Sequence, residues 1–436
     1  MPSLRSRLVE LVLADTTLAV QRRAHRLCDR VLARGPRELV YVHQVDDPYG
    51  LLVLARLPEL VDACAGRLTI LVLPATDERF APAPELARAW ALRDAAGLAR
   101  RHGLAFPEHP VATLDPAAVD RALADALVER PWRDAVARLR ELGHALLAGD
   151  PLTKLPELDA AGQARLDRDR DRALALGHYQ GGMIRDAGEW FWGLDRLPRL
   201  AARLRAEGVT IEPRFAVPGP VEIESGPTGP RVWGASLPAD PGTPIELFYS
   251  LRSPYSYLAL ARTRALAERH GVDLKVRLLL PMVMRGLAVP RAKRLYLARD
   301  AKQVAGELGL GFGRIADPLG RGVERGLGVA MHAREQGRLL DWLAAVGRAV
   351  WAEGVDVSTD AGLIWAARAA GLDPTEVLAA SERDDWWAEV ADNRERLAAL
   401  GLWGVPVFAY GELIVWGQDR LDVLDAAVGH VVARGR

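Results

Sequence analysis

Phe248-Tyr249-Ser250-Leu251-Arg252-Ser253-Pro254-Tyr255-Ser256-Tyr257-Leu258 decides how this chain of 436 residues is read. Phe248 and Tyr249 close an apolar, β-rich run that begins at Ile245. Ser253-Pro254 then reads as a helix start, because serine caps the free amides of a first turn and proline fits the first helical position. Tyr257, Leu258, Leu260, Ala261 and Leu266 follow at helical spacing. A second apolar strand is predicted over Leu274–Leu280, and strand, helix, strand in this order implies a parallel pair. Farther on, roughly Arg291 to Leu400 reads as helical, rich in Ala, Leu and Trp, with breaks near Gly320 and Asp356. Val407–Tyr410 and Leu413–Trp416 read as two short strands joined at Gly411-Glu412, and a last helix is predicted from about Asp419 to Val432.

The same order is found earlier in the chain. Asp47-Pro48-Tyr49 matches Ser253-Pro254-Tyr255 at an offset of 206, as do Arg93-Asp94-Ala95 with Arg299-Asp300-Ala301 and Phe106 with Phe312. Leu73-Pro74 matches Leu280-Pro281 one residue out of step, and Trp192–Leu197 matches Trp416–Leu421 at an offset of 224. Two copies in 436 residues make a tandem of large domains and not a solenoid. The predicted organisation is an N-terminal helical segment (1–37), a first copy (38–212), a linker dense in Pro and Gly (213–243) and a second copy (244–436).

A βαβ unit, a helical insertion and a ββα tail make a thioredoxin fold, so the expected class is α/β: two tandem thioredoxin-fold domains, each with an inserted helical subdomain, and DsbA-like by the resemblance given below. In that fold the reactive group sits at the N-terminus of the first helix, where free N–H groups and the helix dipole favour an anion, typically a thiolate. Ser253-Pro254-Tyr255-Ser256 stands where redox members carry C-x-x-C. With no sulfur there, disulfide exchange by this site is excluded.

The second copy resembles the 2-hydroxychromene-2-carboxylate isomerases and the related kappa-class glutathione transferases. The matching residues are Phe248-Tyr249, Ser253–Leu258, Pro290–Tyr296 with Arg299-Asp300, Gly404-Val405-Pro406-Val407-Phe408, and Trp416-Gly417-Gln418-Asp419-Arg420-Leu421. The resemblance implies use of glutathione as cofactor and a small, unsaturated or aromatic substrate. It makes Ser253 the catalytic hydroxyl, donating to the glutathione sulfur and favouring the thiolate. It assigns the cofactor to Val405 (backbone pairing with the cysteinyl part), Pro406 (expected cis), Gln418, Asp419 and Lys293. It places Tyr255, Tyr257 and Trp403 at the substrate. No metal is implied. Family members commonly dimerise, so an internal pseudo-dimer or a homodimer is expected.

Two departures stand out. The family usually carries Asp three residues before the active serine, where this chain has Ser250. The transferases carry Asn in the loop after the second strand; here Pro281–Val289 has none, and Lys293 and Arg294 are the charges considered in its place. Each site residue also has a plainer reading. Ser253 and Asp419 suit helix caps, Tyr255 and Tyr257 suit a core, and the Trp residues between 342 and 387 suit packing more than a pocket. In the first copy Asp47 replaces the serine and Gly181-Gly182 the Val-Pro pair, so that copy is not expected to bind glutathione; an Asp would repel a thiolate.

Composition narrows the classes. Fifty-seven basic and 57 acidic residues balance, which argues against nucleic acid or anionic membrane as partner. Cys28 and Cys64 form neither a zinc-ligand set nor a disulfide framework. No apolar run is long enough to span a bilayer, and residues 1–37 lack a signal-peptide layout, so a cytoplasmic protein is expected. Three classes remain: a glutathione-dependent isomerase or transferase, a non-catalytic thioredoxin-fold binding or scaffold protein, and an enzyme without glutathione.

Overall fold

The computed structural model describes residues 37–435 other than 77–79, 81–82, 213–214, 216–217 and 227–228, together with Glu10, Val20 and Ala24. The helical segment expected over 1–37 thus falls almost wholly outside the described residues. Contacts divide the chain into two units: 19–220 with 290–296, and 1–18, 221–289 and 297–436.

In the N-terminal unit β1 (Glu38–Gln44) leads into α1 (Pro48–Leu54), α2 (Leu57–Ala63) and β2 (Arg67–Leu73). Four helices follow: α3 (Pro84–His102), α4 (Pro116–Ala126), α5 (Trp132–Leu147) and α6 (Ala160–Ala175). β3 (Met183–Asp186), β4 (Glu189–Trp192) and α7 (Leu197–Ala206) end the unit. The sheet order is β2-β1-β3-β4, with β1 parallel to β2 and the other neighbours antiparallel. Leu39, Tyr41 and Val42 of β1 are fully buried, as a central strand covered on both faces requires. The first helix is split after Leu54, because Pro58 lacks the N–H that would continue the ladder to the Leu54 carbonyl.

The C-terminal unit opens with a small antiparallel meander, β5 (Glu224–Gly226), β6 (Gly229–Val232) and β7 (Ala235–Ser236). The Pro/Gly-rich stretch expected as a linker therefore carries structure in its second half, where Val232 and Trp233 are buried. Then come β8 (Ile245–Tyr249), α8 (Pro254–His270), β9 (Leu274–Leu278) and a single 3₁₀ turn, Met282–Arg285. The insertion comprises α9 (Arg291–Glu307, of which 291–296 belong by contacts to the N-terminal unit), α10 (Arg321–Glu335), α11 (Leu339–Arg348), α12 (Asp360–Ala370), α13 (Pro374–Ala380) and α14 (Trp386–Ala399). β10 (Val407–Tyr410), β11 (Leu413–Trp416), a 3₁₀ turn at Gln418–Arg420 and α15 (Leu421–Arg434) complete it.

Its sheet order is β11-β10-β8-β9, with β8 parallel to β9 and antiparallel to β10. Phe248 lies opposite Val407, and Val407 opposite Trp416; in the N-terminal unit Val42 lies opposite Met183, and Met183 opposite Trp192. The two offsets found in the sequence, 206 and 224, carry one register onto the other. Of the Trp residues in the insertion, Trp342 and Trp386 are core and Trp351 is nearly buried, whereas Trp387 is 52% exposed. No helix among the described residues is long and apolar enough to cross a membrane.

Candidate functional site

The β8–α8 junction sets the site. Ser253 has extended backbone (φ −97°, ψ 116°), and its Oγ accepts from the Ser256 amide at 3.1 Å, the geometry of a side-chain cap. The hydroxyl proton points elsewhere: Oγ lies 3.4 Å from the Val405 carbonyl, to which it donates weakly. The Val405–Pro406 peptide is cis, as expected from the sequence. The Pro406 carbonyl accepts from the Gly417 amide at 2.9 Å, so the Val405–Pro406 turn, the turn before α15 and the start of α8 meet. Ser253 and Val405 are both partly exposed.

Gly404 and Trp416 explain the shape of this turn. A Cβ on Gly404 would sit 2.5 Å from Cζ2 of Trp416, so glycine alone lets the backbone lie against that ring. Trp403 packs edge-on against the same indole at 4.9 Å. Arg285, at the end of the 3₁₀ turn after β9, donates from Nη2 to the Trp403 carbonyl at 2.7 Å.

The other expected site residues are placed as follows. Gln418 is 3% exposed; its Oε1 accepts from Arg262 at 2.7 Å and its Nε2 contacts Asp419. Its amide is thus occupied inside the protein, beside the half-buried Asp419. Tyr255 donates to Asp300 at 2.6 Å, and Tyr257 donates to the Gly311 carbonyl at 3.0 Å. Both hydroxyls therefore have partners within the protein, while both side chains remain partly exposed. Lys293 belongs to the N-terminal unit, where Nζ donates to the Phe80 carbonyl at 2.7 Å and burial lowers the pKa of the amine. The residue that sequence reading passed over is Arg285, although it is the only charge in Pro281–Val289.

The corresponding place in the N-terminal unit is built differently. Asp47 caps α1, accepting from the Tyr49 amide at 3.0 Å. Gly182 stands where Pro406 stands, with φ +67°, and a Cβ there would lie 2.9 Å from Asp47 Oδ2. The carboxyl fills the space above the glycine. Burial, followed by the nearby Asp46, pushes the Asp47 carboxyl up to about 7. His43, fully buried with Nδ1 3.4 Å from the Tyr41 hydroxyl, is lowered to about 3 by burial and stays neutral. Among the described residues no three His, Cys, Asp or Glu side chains cluster as metal ligands.

Residues 244–429 match the DSBA-like thioredoxin domain family, so the C-terminal half is a DsbA-like thioredoxin domain. That half is also similar to proteins called 2-hydroxychromene-2-carboxylate isomerase from Sphingobium xenophagum (24% identical over 192 residues, 42% of this chain and 96% of the relative) and Pseudomonas putida (24% over 201 residues, 43% and 95%). A solved 2-hydroxychromene-2-carboxylate isomerase aligns at 20% identity and a TM-score of 0.38, over 44% of this chain and 97% of its own.

Proposed function

We propose that the C-terminal unit is a glutathione-dependent isomerase of the 2-hydroxychromene-2-carboxylate isomerase type, or a kappa-type transferase, acting on a small unsaturated or aromatic compound. The observation that carries this reading is the juxtaposition of a helix-capping hydroxyl, Ser253, with the partly exposed backbone of Val405 at 3.4 Å. The residues present fit such a thiol. Val405 precedes the first sheet-paired residue of β10, Val407, so its peptide edge can receive an extended ligand. Asp419 offers a carboxylate for an ammonium group. Glutathione, when bound, supplies a thiol that adds reversibly to an unsaturated carbon and leaves again after the substrate has rotated or opened.

Ser253 acts at the sulfur. Its Oγ is held by the Ser256 amide, which fixes the oxygen and leaves the proton free to turn from the Val405 carbonyl towards a closer anion. A hydrogen bond donated to the thiolate, together with the first-turn amides of α8, lowers the energy of the charged form. Ser250 and Ser256, on either side of Ser253 in sequence, are buried and uncharged.

We further propose that the N-terminal unit is a diverged copy of the same fold. The shared sheet order and register support it, as does the pairing of Tyr49 with Asp94 at the positions of Tyr255 and Asp300. Asp47 over Gly182 leaves no place there for a thiolate.

Calorimetric titration of glutathione into the full chain, with Ser253→Ala beside it, tests the function. Binding at one site per chain that weakens in the variant is the expected result. No heat and no thermal shift at high millimolar glutathione would overturn it.

A further inference from the structure

The turn before the cis peptide is held by a cation whose charge no carboxylate among the described residues answers. Arg285 donates from Nη2 to the Trp403 carbonyl, but its Nε is buried with no acceptor. Among the described residues no carboxylate reaches ion-pair distance of it. The charged group nearest in effect is another cation, Arg394 of α14, and both burial and that like charge disfavour the guanidinium's positive form. A clamp on one backbone carbonyl does not need this. A neutral amide would donate as well, without the cost of a desolvated charge and an unsatisfied N–H. A guanidinium presents five donors in a planar fork, a shape matched to a carboxylate.

Its place matters as much as its charge. Arg285 grips Trp403, and Ser253 touches Val405 two residues farther along the same strand of backbone. The two contacts thus lie on either side of Gly404 on one short stretch of backbone. The loop that carries Arg285 has no other charged residue.

We propose that Arg285 is the anion anchor of this cleft and that a ligand seated along Trp403–Pro406 carries a carboxylate. The identity of the cleft rests on the function proposed above, but the anchor does not depend on which molecule brings the carboxylate. A thiol tripeptide and an aromatic acid both would.

The test uses the full chain as wild type, Arg285→Gln and Arg285→Lys, titrated with two matched pairs: glutathione against its glycine ethyl ester, and cinnamate against cinnamamide. In at least one pair, wild type is expected to bind the carboxylate about tenfold or more tighter than the neutral partner, the range of a charge-assisted bidentate contact. Arg285→Gln, which can still donate to the Trp403 carbonyl, is expected to erase that preference by weakening the carboxylate alone. Arg285→Lys is expected to restore part of it. The pair that discriminates names the source of the carboxylate. Discrimination in the cinnamate pair with no glutathione binding would sustain the anchor while overturning the glutathione reading. The anchor is overturned if Arg285→Gln keeps the wild-type preference, if it weakens both members of a pair equally, as a pure backbone clamp would, or if wild type binds neither acid at tens of millimolar.

Discussion

The Tyr255 hydroxyl donates to Asp300 at 2.6 Å, tying the first turn of α8 to the middle of α9. Tyr49 makes the same bond to Asp94 at 2.9 Å in the N-terminal unit. The recurrence of Pro-Tyr and Arg-Asp at one offset thus has a mechanical reason. Each pair fastens the helix that carries the site to the first helix of the insertion, and Asp300 and Asp94 are both buried, so each carboxyl needs its donor.

Tyr255→Phe is therefore expected to cost about 1.5–3 kcal/mol of stability in the C-terminal unit, the range for a hydrogen bond to a charged group. Hydrogen exchange on α8 and α9 reads it locally, which suits a chain of two units better than a single melting midpoint. A double-mutant cycle with Asp300→Asn should show coupling. Lost turnover with unchanged protection would instead place Tyr255 at the substrate.

The strands around the site were legible because their signals are local. Alternating and continuous apolar runs at 245–249, 407–410 and 413–416 coincide with β8, β10 and β11. Ser253-Pro254 announced the cap, whereas the cis bond before Pro406 was expected from the family resemblance and not from a local signal. What depends on distant pairing was not legible. Nothing near Gln418 in sequence shows that Arg262, 156 residues away, occupies its amide. Lys293 sits in a motif-like run yet spends its ammonium on Phe80, 213 residues distant. Arg285 was legible in principle, as a lone charge in an apolar loop, and its meaning emerges only once Trp403 is seen against it.

Gly404→Ala tests the turn itself. The new methyl would meet the Trp416 ring at 2.5 Å, and either the indole or the Val405 backbone must move. The expected result is a loss of about 1–3 kcal/mol in stability, as for other overpacked sites, with glutathione affinity falling by at least about tenfold if the backbone is what yields. Tryptophan fluorescence and titration on the same sample separate the two. Wild-type affinity in this variant would show that the exact path of residues 404–406 is not what the ligand reads.

Ser253 has two jobs that different substitutions separate. Alanine removes both the cap and the proton donor and is expected to cost about 1 kcal/mol of stability, whereas glycine at a cap costs only a few tenths. Ser253→Gly thus leaves α8 close to intact while deleting the hydroxyl. The pKa of enzyme-bound glutathione, followed by thiolate absorbance, is expected to rise by about one unit in both variants. A bound-thiol pKa unchanged in Ser253→Gly would reduce Ser253 to a cap.

Asp47 gives the N-terminal unit a pH dependence of a recognisable sign. Its carboxyl is pushed up to about 7 in the fold, first by burial and then by Asp46, against an ordinary value near 4 when unfolded. Between those values the folded chain binds the proton and the unfolded chain does not, so stability from this group is full below about pH 4 and is lost as pH rises through 7. Arg88 pulls the other way without overcoming burial, and the buried neighbours Tyr41 and His43 carry no charge across this window. Asp47→Asn keeps an acceptor for the Tyr49 amide and mimics the protonated acid. The variant is expected to be more stable than wild type at pH 8, with the advantage shrinking steadily towards pH 5. Hydrogen-exchange protection of β1 and α1, compared between the two proteins across that range, isolates this group from the ion pairs elsewhere. A constant difference between variant and wild type would mean that Asp47 stays ionised throughout, held by solvent or Arg88 more strongly than its burial opposes.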